Sequence, residues 1–231
     1  MDADDIKAGG QQQSIETRNL SQRLRAKDQR RARLIKVARE LISENDGGNF
    51  SMQELALRAE LSLATPYNLF GSKLVILQEV FRAESEGFHK KSIELRAGAP
   101  VESVMATVEN MVSVFARKPH FYRGLTRSLM MLSADDFRGS ILPISEAMFR
   151  PLVDGLIQDG AIAIHIPAAV ISTHLLRVFN STFLLWASQA WDENTFRREL
   201  KTGFVLSFLG LFAGESRELL LAALRNDPPS L

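Results

Sequence analysis

The chain has 231 residues, 45% of them hydrophobic and 24% charged, a balance that excludes a disordered or fibrous protein and supplies a sizeable core for one or two domains. Lys+Arg 28 against Asp+Glu 27 leaves a net charge of +1, so no global charge marks the chain for nucleic acid or a membrane. Cysteine is absent, which removes disulfide scaffolds, thiolate metal sites and cysteine nucleophiles and suits a reducing cytoplasmic setting.

The distribution of charge is uneven. Nine bases and one acid, Asp28, fall between Arg18 and Arg39, so that segment carries +8 and the remainder of the chain −7 against the total of +1. A basic end on an otherwise acidic molecule points to a localised anionic partner. No signal-peptide pattern is read in MDADDIKAGGQQQS, and apolar segments such as Phe204–Ala213 fall short of the roughly 18–20 residues of a membrane helix, so no membrane contact is expected.

In chain order, residues 1–17 are polar, Gly/Gln-rich and without apolar periodicity, which predicts disorder, and 1–26 make a basic amino-terminal arm. From about Leu20 apolar residues recur at three and four, so the chain is predicted all-α. A first helix runs from Ser21 or Lys27 to Glu44, closed by Asp46-Gly47-Gly48. The second is Met52–Glu60, capped by Ser51 with Glu54 at capping-box spacing. The third is Leu63–Phe70 capped by Ser62, and the fourth Lys73–Arg96 capped by Ser72. Val101–Arg117 follows Pro100, and Phe121–Leu132 follows Pro119. A seventh helix, Ala134–Gln158, is expected to kink at Pro143 or Pro151. Ala161–Ile166 reads as a connector, then come helices Ala168–Ala190, Asn194–Ala213 and Ser216–Arg225, with DPPSL as a frayed end.

The second and third helices are too short to stand alone in water. Leu55, Ala56, Ala59, Leu61, Leu63, Pro66 and Phe70, with Val37, Ala38 and Leu41, close a three-helix core across residues 27–80. What remains outward on the third helix is Ala64, Thr65, Tyr67 and Asn68, side chains that suit base edges, thymine methyls and phosphates. A short helix with such a face, behind a tight turn and beside a basic helix, reads as a helix-turn-helix.

At Arg30–Phe81 the sequence resembles the tetracycline-repressor (TetR) family of bacterial transcription regulators, with Ala59–Ser62, Thr65, Tyr67, Phe70, Lys73 and Leu77 in the family's register. Glu60 stands where the family usually has Gly, Pro66 replaces an aliphatic residue, and Leu69 lies where a polar residue is common. The resemblance implies DNA contacts from Ser51, Ser62, Ala64, Thr65, Tyr67, Asn68 and Lys73, with Tyr67 and Lys73 each on a phosphate. A basic arm beside such a module is expected to lie along phosphates or in a minor groove.

Residues 81–231 form the larger helical domain, rich in Met and Phe, and the resemblance implies an effector pocket there. His120, Tyr122, Arg123, Arg127, Met130 and Phe149 are the candidate ligand contacts, the polar ones orienting an acid or carbonyl group. The last long helices are apolar around more than one face, which predicts a homodimer through Phe179, Phe183, Trp186, Phe204 and Phe208. The four histidines, His89, His120, His165 and His174, lack metal-ligand spacing, and no catalytic residue, metal or cofactor is expected. The whole reads as a cytoplasmic, non-enzymatic, ligand-responsive, DNA-binding transcriptional regulator, a repressor released from a palindromic double-stranded DNA operator by a small apolar effector. The alternative is a helical small-molecule-binding or interaction protein without sequence-specific DNA binding.

Overall fold

The structure is a computed structural model that describes residues 3–45, 49–95, 98–162 and 166–225, with side chains from residue 21 onward. The closing turn Asp46-Gly47-Gly48, His165 and the DPPSL end lie outside the described residues. Every regular element among the described residues is helical.

Helix α1 spans Ala3–Glu44, so it begins upstream of the start read from periodicity and takes in residues 3–17, which the sequence predicts to be disordered. Propagating a helix needs no apolar face, and residues 11–27 contain neither Gly nor Pro to stop it. Helices α2 (Met52–Arg58), α3 (Ala64–Phe70), α4 (Lys73–Glu94), α5 (Pro100–Arg117) and α6 (Pro119–Met130) follow within two or so residues of their predicted bounds. The Ser51–Glu54 capping box forms, with the Glu54 amide donating to Ser51 Oγ at 3.0 Å. Ser62 does not cap α3: its hydroxyl pairs with the Thr65 hydroxyl at 2.8 Å, and the cap position is Leu63, without a side-chain bond.

The predicted seventh helix is broken rather than kinked. It becomes α7 (Ala134–Asp136), a single π-helical turn at Phe137–Ile141, α8 (Leu142–Glu146) and α9 (Arg150–Gln158). Pro143 and Pro151 each remove a donor and clash with the preceding turn, so the ladder shifts register before the first and restarts before the second. Helices α10 (Ala168–Ala187), α11 (Glu193–Leu209) and α12 (Gly214–Arg225) complete the body.

The head packs Val37, Ala38, Leu41, Leu55, Ala56, Ala59 and Phe70 as expected, together with Leu34, Phe50 and Met52. Leu63, expected in that core, is exposed, because the cap residue of so short a helix sits outside its buried face. The turn after α2 closes with the Leu61 amide donating to Ala56 O and the Glu60 amide to Leu57 O, a Schellman pair. It requires a left-handed residue, and Glu60 adopts φ 52°. Glutamate therefore does conformationally what glycine would do, at a cost of about 1–2 kcal/mol, against which its exposed 2.6 Å ion pair with Arg33 offsets little. Glu60→Gly is expected to raise stability by about 1 kcal/mol, a Tm increase of about 2–4 °C in a thermal melt; an unchanged or lower Tm would show the turn is not left-handed there.

Head and body share one core through α1, α4 and α6. Gly124 on α6 lies against the backbone of α1: a Cβ built there runs into Ile42 O. Gly124→Ala is expected to lower stability by about 1–3 kcal/mol, since a main-chain carbonyl cannot swing aside, and denaturant unfolding would read the loss.

The predicted dimer residues prove to belong to the protomer's own core. Phe204 and Phe208 are fully buried, Phe179 and Trp186 nearly so, and Phe183 is half-buried within the same ring cluster. The apolar positions that α10 and α11 leave outside are Val170, Leu184, Leu185 and Leu206. Helices apolar on several faces satisfy two packing surfaces at once, α5 and α9 on one side and open surface on the other, and the largest rings take the inner one. Helix α10 is also, by length and composition, apolar enough to cross a membrane, contrary to the sequence expectation. Its inner face, Ile171, Leu175, Phe179 and Trp186, packs in this core, and its outer face carries His174, Arg177 and Asn180, as in a core helix at a surface.

Candidate nucleic-acid interface and ligand cavity

Helix α3 is fixed from behind. Pro66 and Phe70 are buried, the Arg31 guanidinium lies 4.3 Å from the Phe70 ring centroid, and Arg31 Nη1 donates to Leu69 O at 2.6 Å. A cation on the last carbonyls of a helix suits its negative end, so Arg31 of the basic run clamps α3 to α1. Arg33 and Arg39 are likewise engaged, with Glu60 and Glu84. Arg23, Arg25, Lys27 and Arg30, further up α1, are exposed.

With its back held, α3 presents Ala64, Tyr67 and Asn68 to solvent, Thr65 half-exposed, and Ser51 and Ser62 exposed beside them. Tyr67 is 53% exposed, a large ring with no core role. Leu63, 58% exposed, joins this outward set, although its apolar character placed it in the core by sequence; that same character suits a thymine methyl. Lys73, at the start of α4, lies against the segment that leads into Ser51: Nζ donates to Asn49 Oδ1 and sits 4.7 Å from the Phe50 ring centroid. Burial pushes its pKa below the usual lysine value, with Glu54 opposing the shift.

The body holds a cavity of about 270 Å³ between α4, α5, α6, the π turn and α10. Phe81, Phe88, Phe115, Phe137, Phe179 and Phe183 are among its lining residues, and the exposed Met130, Phe137, Asn180 and Leu184 mark its mouth. Of the predicted ligand contacts, Tyr122 and Met130 line it. The others do not. His120 lies in a separate basic cleft beside Arg39 and Arg117, Arg123 covers the Trp186 ring at 4.9 Å, Arg127 is on the outer face, and Phe149 is buried behind the wall against Phe88, Phe179 and Phe204. The spacing of Tyr122, Leu125, Thr126 and Leu129 on α6 is the sequence signal that marks the inward face.

Glu84 of α4 also lines the cavity, a residue with no mark in the sequence pattern. Tyr122 Oη donates to its Oε2 at 2.5 Å, while its Oε1 pairs with Arg39 of α1. Burial, and then the bond to Glu84, hold the Tyr122 hydroxyl well above the usual phenol pKa, so it stays protonated as a donor. One carboxylate thus joins the cavity wall to the helix that carries the head.

Solved structures supply the parallel for this arrangement. Thermus thermophilus FadR, described as a TetR-family transcriptional repressor in complex with lauroyl-CoA, superposes with a TM-score of 0.66 at 18% identity, covering 80% of this chain and 96% of that one. The chain has the TetR fold. RolR in complex with resorcinol gives a TM-score of 0.65 at 18% identity over 90% of this chain and 98% of its own. SmeT, repressor of the Stenotrophomonas maltophilia multidrug efflux pump SmeDEF, gives 0.61 at 9% identity over 80% and 92%. No family model and no curated protein matches the sequence. The TetR fold thus covers head and body together, well beyond Arg30–Phe81, the stretch that carries the sequence resemblance.

Proposed function

We propose that the chain is a ligand-responsive, DNA-binding transcriptional regulator, a cytoplasmic repressor that works by binding and not by catalysis. The carrying observation is the exposed α3 surface, Ala64, Tyr67 and Asn68 on a helix clamped from behind, tied by Arg39–Glu84–Tyr122 to an apolar cavity. Tyr67 and Lys73 take phosphates, Ser51, Ser62, Thr65, Ala64 and Asn68 meet the groove, and the exposed end of α1 lies along the backbone. Two copies, joined through the outer faces of α10 and α11, set two heads into successive major grooves about 34–36 Å apart on a palindrome. Neighbours of this fold hold lauroyl-CoA and resorcinol, which supports an effector here, and the mostly apolar lining of a cavity of about 270 Å³ supports a small, largely apolar one. An effector that binds better to a head spacing wrong for DNA releases the operator by differential affinity.

The test is selection of bound fragments from random duplex DNA at about 150 mM salt, followed by sequencing. Recovery of a palindrome with half-sites one helical turn apart is the expected result. Salt-sensitive, sequence-blind binding alone would overturn the reading in favour of a ligand-binding protein without operator recognition.

A further inference from the structure

Three features of the cavity constrain what it holds. Ser85 is among the lining residues, and its buried Oγ has no hydrogen-bond partner, a costly state for a hydroxyl unless a rotation of the side chain toward a ligand supplies one. Among the described residues, Glu84 is the one charged side chain in the lining. Its charge is already met by Arg39 from outside and by Tyr122 from within. An acid entering the cavity would find no cation in the lining to pair with and a carboxylate already there, and a pure hydrocarbon would leave Ser85 unpaired. A single neutral hydroxyl answers both, accepting from Ser85 and donating to Glu84, whose carboxylate has lone pairs beyond those already used.

Resting on the reading of this cavity as the effector site, we infer that its ligand is a neutral, hydroxyl-bearing aromatic molecule of one or two rings, a phenol and not a carboxylic acid, held by Ser85 and Glu84. The ring character follows from the walls, where Phe115, Phe179 and Phe183 stack and tilt against one another at centroid distances of 4.7–5.6 Å. The size follows from the volume, about 270 Å³, below the range of drug-sized sites. Because Glu84 also holds Arg39, the ligand hydroxyl draws on the carboxylate that joins head to body.

The experiment is calorimetric titration of the full-length, ligand-free protein at neutral pH with para-phenylphenol, biphenyl and para-phenylbenzoate. The phenol is expected to bind roughly tenfold tighter than the benzoate, with biphenyl between them. Ser85→Ala is expected to leave the ligand-free melting temperature unchanged or raised, since it removes an unpaired buried hydroxyl, while weakening phenylphenol about fivefold and biphenyl not at all. A benzoate bound as tightly as the phenol, equal affinities for all three, no binding of any at millimolar concentration, or a Ser85→Ala variant with undiminished phenol affinity would each overturn the inference. The wild-type ranking stands whether or not the variant folds. These titrations contain no DNA, so their failure and a failure to select an operator are read separately.

Discussion

Replacing Tyr67 by alanine is expected to lower affinity for the selected operator by roughly tenfold, and replacing Lys73 by methionine to lower it by a similar factor. The reason lies in what each side chain leaves undone in the free protein. Tyr67 is 53% exposed on a helix whose buried face is Pro66 and Phe70, so the ring contributes little to the core and its loss costs little stability. Lys73 is partly buried beside Phe50 and bonded to Asn49, and that partial burial lowers its pKa. A lysine kept where its charge is disfavoured is better explained by a phosphate it will meet than by stability, and the Lys73→Met side chain would retain the apolar cover of Phe50. The two variants differ in a second readout: the slope of affinity against salt concentration should fall by about one counterion for Lys73→Met. Melting temperatures close to wild type would show that the fold survives. Operator affinity unchanged in both variants would move the reading surface elsewhere.

Phe204→Ala and Leu206→Glu, two residues apart on α11, are expected to fail in different ways. Phe204 is fully buried against Phe149 at 5.4 Å, and truncating it should remove about 3–5 kcal/mol, a large part of the stability of a domain. That loss belongs to the protomer and should appear at every protein concentration. Leu206 is 56% exposed, beside Gly203, whose missing side chain lets Val178 of α10 approach. A glutamate there costs the protomer little but places a charge in the face proposed for the partner, so the variant should sediment as a monomer and lose the concentration dependence of its Tm. A Leu206→Glu protein that sediments like the wild type would place the dimer contact on another face.

The two positions also mark how far local patterning reaches. Both are legible as apolar residues of a long carboxy-terminal helix, and nothing in their spacing says which one faces inward. The candidate ligand residues on α6 divide the same way. Tyr122 lines the cavity and Arg123, its neighbour, lies over Trp186, because α1 packs where Gly124 admits it and so sets the rotation of α6 about its axis. Ser85 and Glu84 carry no sequence signal at all, since a serine and a glutamate in a mixed helix are ordinary until a cavity opens beside them. Glu60 is the reverse case. Its departure from glycine is visible in the sequence, but the turn it serves keeps its left-handed shape through the bonds from residues 60 and 61 to α2.

By itself the sequence determined what short-range physics decides: the bounds of α2 to α6 to within about two residues, the Ser51–Glu54 box, an irregularity at Pro143 or Pro151, and the short helix with Ala64, Tyr67 and Asn68 outward. Those depend on residues a few positions apart. The cavity, the joint that runs from Arg39 through Glu84 to Tyr122, and the choice between inner and outer faces of α10 and α11 were decided only by tertiary structure. They depend on which helix lies against which, and a helix with two apolar faces carries no local mark of the one its own protomer will bury.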